Sequence, residues 1–397
     1  MIRHLFKLIW NRRKRNFLIM SEIFISFIVL FAVGGMIFHG LNNTAKPLGF
    51  EYKNVWVLSM NWKGSGMEKS GESEENAGVR QVLQEMQAFR EIRNLTWASS
   101  NIPYSGNTWS SSLEYNNRQH RFHIFYADDD FASVMGIPLI EGRWFNKEED
   151  VLKSTPLVIN RQLREAFFGS GPAIGQTIVG EEKEYTIIGV IDQYRYKGEF
   201  EKPYNVAFRR NVVYDTASTM VTKIMFAVRE GLGVEFEERL MKRLASVVRD
   251  WTLNIERLED KRASYFQGKI VPIAVIGIIA GFLVFNVALG LFGVLWYSIS
   301  RRRDEIGVRR AMGASSLDIS KLILGETVVI AAFGIAAGVF VAIQVPIIGV
   351  FGAVAEGVYG LAALCSAILI LVIVSTCAVY PGWLAARIQP AMALHSE

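Results

Sequence analysis

Residues able to do chemistry are thinly spread along this chain, and their spacing argues against most catalytic uses. Lys69-Ser70 would suit a phosphate-cradling loop, but the G-x-x-x-x-G-K-[ST] pattern needs glycines where Lys63 and Glu68 stand. His120 and His123 fall three apart in a β-like stretch. That spacing sends their side chains to opposite faces and reads as surface histidines rather than a metal pair. Asp128, Asp129 and Asp130 lack the spacing and the glycine of a calcium loop, and read as a solvated turn or helix start before Phe131. Cys365 and Cys377 are 12 apart in one apolar run, about 18 Å along a helix at ~1.5 Å per residue, too far to pair. No G-x-S-x-G, H-E-x-x-H or C-x-x-C motif occurs. Hydrolytic, zinc-dependent and dithiol chemistry therefore have no sequence support, and no catalytic or metal-ligating residue is assigned.

The elements are more informative than the reactive groups. Of 397 residues 51% are hydrophobic, and the mean hydropathy is +0.22. The apolar excess falls in four stretches, Phe17 to Phe38, Ile270 to Ile299, Leu322 to Val345 and Leu361 to Val379. Each reaches the roughly 17–25 residues needed to cross a bilayer as a helix. The first follows a basic run, Arg12 to Arg15, as a signal peptide would, but it exceeds the ~7–15 residues of a cleaved apolar segment and has no small-residue cleavage site after it. It is expected to stay as an anchor.

Net charge is +5 and the pI about 9.1, values open to nucleic-acid binding, a membrane surface or acidic partners. Placement decides. Arg3, Lys7, Arg12, Arg13, Lys14 and Arg15 precede the first span; Arg301, Arg302, Arg303, Arg309, Arg310 and Lys321 lie between the second and third; residues 39–269 are close to electrically balanced. Positive loops stay in the cytoplasm, so both termini and 300–321 are cytoplasmic, 39–269 and the short 346–360 loop are outside, and no nucleic acid is implied. The expected fold is an α-helical membrane protein with four transmembrane helices plus a large α+β extracytoplasmic domain between helices 1 and 2.

Within that domain, Asn54 to Met60, Arg121 to Tyr126 and Glu184 to Asp192 read as strands. Ser154 to Gly169 reads as a strand then a helix ended by glycine, and Val234 to Asp250 as a helix with Phe236, Leu240, Leu244, Val247 and Val248 on one face. Lys63 to Gly78 reads as a mobile loop. At the membrane, Ile2, Leu5, Phe6, Ile9 and Trp10 form an apolar stripe, predicting an amphipathic helix over 1–16 on the inner leaflet. Gly277 with Gly281 and Gly334 with Gly338 allow close helix packing, within the chain or between copies. Glu22 and Glu326 near the cytoplasmic ends of their spans read as interfacial and solvated rather than as a proton path.

The most distinctive polar segment is Ser300 to Ser316. Its charges of both signs and its apolar Ile306, Val308, Ala311 and Met312 predict a short cytoplasmic helix, stopped by Gly313 and followed by a Ser315-x-x-Asp318 capping box that starts the next helix. Such a helix suits a partner's groove, with Ile306 and Met312 as anchors and Glu305, Arg309 and Arg310 as orienting charges. A basic loop lying on lipid headgroups is the competing reading.

The run Glu305-Ile306-Gly307-Val308-Arg309-Arg310-Ala311-Met312-Gly313-Ala314-Ser315 resembles the E-I-G-[IV]-[RK]-[RK]-A-[LM]-G-A-[ST] signature of FtsX-like or MacB-like permeases of ATP-binding cassette (ABC) transport systems. Tyr380-Pro381-Gly382-Trp383-Leu384-Ala385-Ala386-Arg387-Ile388-Gln389-Pro390-Ala391-Met392-Ala393-Leu394 is similar to that family's C-terminal P-x-x-x-A-A-R-x-x-P-x-x-A-L. Asp130-Phe131, Gly136, Glu141-Gly142-Arg143, Val158-Ile159-Asn160, Phe168-Gly169, Ile174-Gly175 and Ile188-Gly189-Val190 follow the order seen in MacB-like periplasmic core domains.

The resemblance implies a bacterial inner-membrane permease subunit that is not itself an enzyme. A second permease copy or a paralogue would pair with it, and cytoplasmic ABC ATPase subunits would bind ATP and Mg, this chain holding no cofactor. A periplasmic adaptor or ligand fits the same architecture. It implies ATPase docking through Arg302, Glu305, Ile306, Gly307, Arg309, Arg310, Met312 and Gly313, and a porter-like outer part with a second subdomain inserted at roughly 119–204. Because the sequence starts directly at the amphipathic segment, ATP hydrolysis is expected from another polypeptide. The polar stretch Glu256 to Lys269, continuous with the second span, would relay movement to the outer module for export or extraction of an antimicrobial, peptide or lipoprotein, or for transmembrane signalling. The alternative is a receptor or scaffold that senses an extracytoplasmic ligand without energy coupling.

Overall fold

In the computed structural model the described residues are 13–44, 46–62, 72–151, 153–180, 183–210, 223–348 and 356–386. They divide into two bodies, one within Met1–Asn42 and Ile270–Glu397, the other Asn43–Lys269. In chain order the elements are α1 (Arg13–Thr44), β1 (Val55–Trp62), α2 (Glu72–Gln87), β2 (Ile92–Ala98), β3 (Ser110–Tyr115), β4 (Arg118–Ala127), α3 (Phe131–Val134), β5 (Leu139–Gly142), a 3-10 turn (Lys147–Val151), β6 (Thr155–Asn160), α4 (Arg161–Phe168), β7 (Thr177–Val179), β8 (Glu184–Ile191), β9 (Val206–Arg210), β10 (Lys223–Val228), α5 (Val234–Val247), β11 (Trp251–Arg257), α6 (Leu258–Ser300), α7 (Arg303–Ala311), α8 (Ser316–Ala342), α9 (Gln344–Ile348) and α10 (Glu356–Ala386). The amphipathic stripe over 2–10, the Lys69-Ser70 pair and the tail beyond Ala386 lie outside the described residues.

In the larger body the strands run in the order β11-β1-β10-β2-β4-β9-β6-β8-β5, with β3 on β4 and β7 on β8. The β11-β1-β10-β2 part is antiparallel. The helices α2 and α5 contribute to its core, and the 3.6-residue spacing of Phe236, Leu240 and Leu244 puts all three into the cluster with Trp56, Leu58, Met60, Val82 and Phe226. Residues 72–78, expected in a loop, form the first turns of α2, while 63–71 lie outside the described residues. Strands β3 to β9 lie beyond β2 in the sheet and form its second part, which overlaps the stretch 119–204 and also takes in β3 and β9. A single ladder pair, Ala98 with Ala127, joins the two parts through the sheet.

The second part mixes parallel pairs, β4 with β9 and β6 with β8, with antiparallel ones. Its helix α4 starts where Asn160 Oδ1 accepts from Leu163 N at 3.1 Å and ends at Gly169, whose φ of +59° a side chain rarely adopts. Leu163 and Phe167 on α4 pack on Leu113, Phe122, Leu157, Ile159 and Ile187. A third cluster is rich in rings, among them Phe50, Tyr104, Phe125, Phe131, Trp144, Tyr194, Tyr196 and Phe208.

In the other body α1, α6, α8 and α10 include the four segments that, among the described residues, are long and apolar enough to cross a membrane. Ile23, Phe27 and Phe31 of α1 pack against Val287 and Leu291 of α6, Ile330 and Ile335 of α8, and Ala362, Ile370 and Val374 of α10. The second of these helices begins at Leu258, so the polar stretch before Ile270 and the apolar span are one continuous helix.

Candidate functional site

The short helix α7 sits between the ends of two membrane helices and is fixed by three devices. On its near side Ile306 packs with Ile299, Ile319 and Ile323, and is only 6% exposed. Arg302, the residue before its first turn, makes a two-pronged pair with Glu326 of α8, Nη1 to Oε2 at 2.7 Å and Nη2 to Oε1 at 3.1 Å. Both side chains are largely withdrawn from solvent, at 14% and 12% exposure, which strengthens a charge pair relative to the surface. At the far end Gly313 takes a φ of +96°. Ser315 Oγ then accepts from Asp318 N at 3.2 Å while Asp318 Oδ2 accepts from Ser315 N at 3.0 Å, a reciprocal cap contributing about 1 kcal/mol to the start of α8.

This arrangement leaves one face of α7 open. Met312 is 80% and Val308 44% exposed, two turns and one turn respectively from Glu305, which binds Arg309 Nη2 at 2.8 Å. Of the two anchors expected, Met312 is presented outward, while Ile306 is turned into the chain's own core. Val308 takes its place beside Met312. Gly307 is buried. Glu326, read as solvated, is instead the partner of Arg302. Behind α7 a cavity of about 50 Å³ is lined by Ile19, Leu291, Ile299, Ile306 and Ile323, with Arg302 and Glu326 among its walls. At the same end of α6 and α10, Trp296 and Tyr380 stack at 6.4 Å with Phe292 and Trp383 beside them. Half-exposed rings of this kind favour the membrane–water boundary.

Compared with known families, residues 17–240 match the MacB-like periplasmic core domain and residues 277–390 the FtsX-like permease C-terminal domain. The chain is a MacB/FtsX-like permease. As such it belongs to a family of ABC transporter permeases and is a membrane protein. The pyoverdine export ATP-binding/permease protein PvdT of Pseudomonas aeruginosa is 25% identical to this permease over 300 residues, 72% of this chain and 44% of PvdT. The macrolide export ATP-binding/permease protein MacB 1/2 of Paracoccus denitrificans is 25% identical over 240 residues, 59% of this chain and 36% of that protein. The permease thus spans less than half the length of these relatives. The periplasmic region of MacB from Actinobacillus actinomycetemcomitans aligns over 56% of this chain and 96% of its own, with 14% identity and a TM-score of 0.38.

The permease's two glycine pairs differ in surroundings. A Cβ added to Gly338 would lie 2.3 Å from the Phe27 ring, and one on Gly334 2.8 Å from Ile23, so these glycines let α8 close onto α1. Gly277 and Gly281 on α6 have nothing within 4 Å.

The reactive residues of the outer body are held inside its architecture. The Asp128 carboxylate turns onto β2, accepting from Thr96 Oγ1, from Trp97 N at 3.2 Å and from Asp130 N at 3.1 Å. Burial outweighs these bonds and raises its pKa to about 7. It is not the solvated turn expected. Asp129 instead pairs with Arg210 Nε at 2.7 Å. His123 Nδ1 meets Tyr196 Oη at 2.9 Å, and burial with Lys197 and Arg121 nearby lowers its pKa to about 4. His120 lies edge-on to Phe167 at 4.9 Å, so the two histidines do part as their spacing requires, though neither ring is simply surface. Among the described residues no three His, Cys, Asp or Glu side chains gather as a metal site needs.

Proposed function

We propose that this permease works by mechanotransmission: ATP hydrolysis by a separate cytoplasmic ABC ATPase, docked on α7, moves the extracytoplasmic body and drives export across the bacterial cell envelope. The observation carrying this reading is the mounting of α7. An ion pair, an isoleucine cluster and a capped helix start fix its inner side, while Glu305, Val308, Arg309 and Met312 face outward as an apolar pair flanked by charge. A basic loop adapted only to lipid headgroups has no need of such rigid mounting, whereas a helix that receives a push does. Arg310 and Gly313 frame that face, and the buried Gly307 keeps the helix close to its support.

In this reading α7 and both termini are cytoplasmic and residues 39–269 are outside. The ATPase subunits bind ATP and Mg, and a second permease copy or a paralogue completes the unit. The continuous α6 carries movement outward without any substrate path through the bilayer. Export as the activity is supported by the names of PvdT and MacB; cargo class is left to experiment.

The test is affinity capture of the full chain from its native membrane with its ABC ATPase. Met312→Asp and Glu305→Lys are expected to reduce ATPase recovery at least fivefold, about 1 kcal/mol of docking energy, and to lower membrane-coupled ATP hydrolysis. If both variants retain the ATPase and its coupled activity, the docking assignment is wrong.

A further inference from the structure

The turn between β8 and β9 contains a buried cation with an unusual set of partners. Arg195 is 2% exposed, and its guanidinium donates to four backbone carbonyls: Nη1 to Asn43 O at 2.7 Å and Lys46 O at 3.1 Å, Nη2 to Glu199 O at 2.7 Å and Glu201 O at 2.9 Å. Asn43 lies in the last turn of α1, where helix carbonyls lack intrahelical donors and the helix dipole favours a positive charge. A planar fork with five N–H donors can serve two chain segments at once, which an ammonium cannot do with the same geometry. The turn is also closed on itself, since Gly198, at a φ of +84°, donates to Arg195 O at 2.8 Å.

The same turn grips the beginning of α6. Glu199 pairs with Arg262 at 2.6 Å, the Phe200 ring packs at a tilt against Phe266 at 4.9 Å, and Glu201 binds Lys269 at 2.7 Å. Residues 262, 266 and 269 are spaced i, i+4, i+7, so three successive contacts run down one face of the helix. One short turn therefore holds the last turn of α1 through its backbone and the first turns of α6 through its side chains. Its two ends are β8 and β9, strands of the outer body's second part. Neither helix end can shift without displacing the turn.

We propose that this turn, with Arg195 as its central positioning residue, is the clamp through which movement of α1 and α6 reaches the sheet of the outer body. The inference rests on the mechanotransmission reading above and adds to it the element that receives the movement.

The experiment is hydrogen–deuterium exchange on the full chain in lipid nanodiscs with its co-captured ATPase, with and without ATP and vanadate. In the wild type, ATP is expected to change exchange in 258–269 and in 192–210 together. Arg195→Met is expected to keep the change in 258–269 but to reduce that in 192–210 at least threefold, and Arg195→Lys to restore only part of it. Should Arg195→Met fail to fold, the less buried Glu201–Lys269 pair decides, its side chains 27% and 40% exposed: Glu201→Lys and Lys269→Glu each uncouple the two segments, and the double exchange recouples them. Wild-type-sized responses in a folded Arg195→Met, or no rescue by the double exchange, overturn the clamp alone. A wild-type complex with no ATP-dependent change anywhere in 43–269 overturns the clamp and the mechanotransmission reading together.

Discussion

Where α8 meets α1 in the membrane body, the closest approaches are made by glycine, Gly334 against Ile23 and Gly338 against Phe27, with aliphatic side chains filling the remainder. The outer body packs by the opposite means. Around Phe125, rings of Tyr194, Tyr196 and Phe208 meet at 4.8–5.4 Å, and ionisable groups such as Arg195, Asp128 and His123 are folded in among them. In lipid there is little hydrophobic gain from helix association, so contact depends on fit and on small residues. In water the large ring surfaces supply the drive, about 25 cal/mol per Å² buried, and the body tolerates polar groups that find partners. The membrane body should therefore respond to changes of volume and hardly to pH, whereas the outer body should respond to pH as well as to volume.

The largest expected effect tests the exception to that contrast, the Arg302–Glu326 pair inside the membrane body. Arg302→Met leaves a carboxylate without its partner and should cost about 3–5 kcal/mol, read as loss of the folded chain in thermal unfolding in detergent. An added Glu326→Met should recover most of it.

Next comes the pH response of the outer body. Asp128 titrates near 7 in the fold against about 3.9 unfolded. Its contribution is fully present below the unfolded value and is lost as pH rises through about 7, at no more than about 1.4 kcal/mol per pH unit, less for residual screening. His123 titrates near 4 against about 6.5 unfolded, so its contribution is present above 6.5 and lost as pH falls toward 4. The two slopes oppose one another. Asp128→Asn should make the unfolding midpoint rise more steeply with pH between 4 and 7, and His123→Phe should make it fall. Unchanged slopes in both would remove the contrast between the bodies.

Volume in the membrane body follows. Gly338→Leu drives a side chain into the Phe27 ring and should cost about 1–3 kcal/mol, with partial recovery from Phe27→Ala in the same chain. The smallest effect is expected for Gly277→Leu, within about 0.5 kcal/mol, because the space beside it is empty within this chain. A larger loss, together with a change in oligomer size by light scattering, would show that a second chain fills that space.

The four spans, the short helix and its capping box were legible because each rests on local pattern: apolar length, charge against apolar side, Ser three residues before Asp. The stop of α4 at Gly169 was local in the same way, while its start at Asn160 was not placed. What escaped was partnership. Periodicity marked an apolar side on α7 but not which apolar residues the chain keeps for itself, so Ile306 looked like an anchor. Glu326 and Arg302 are 24 residues apart in different helices, and nothing in either segment names the other. Asp128 looked solvated because its partners, Thr96 and the Trp97 amide, come from a strand 31 or 32 residues away. Arg195 gave no signal at all, since its acceptors are carbonyl groups that every residue carries.

The pairing of β1 sets a timetable for synthesis. Its neighbours in the sheet are β10 and β11, and Trp56 faces Arg257 across the ladder, about 200 residues later in the chain. At ~5–20 residues per second, β1 leaves the ribosome roughly 8–34 s before β10 and roughly 10–40 s before β11. During that wait both of its edges are unpaired templates for wrong strands, already tethered at the membrane by α1. The outer body can be completed only as α6, its exit helix, is being made, so a chain stalled before residue 223 carries an exposed strand that invites aggregation or a protease.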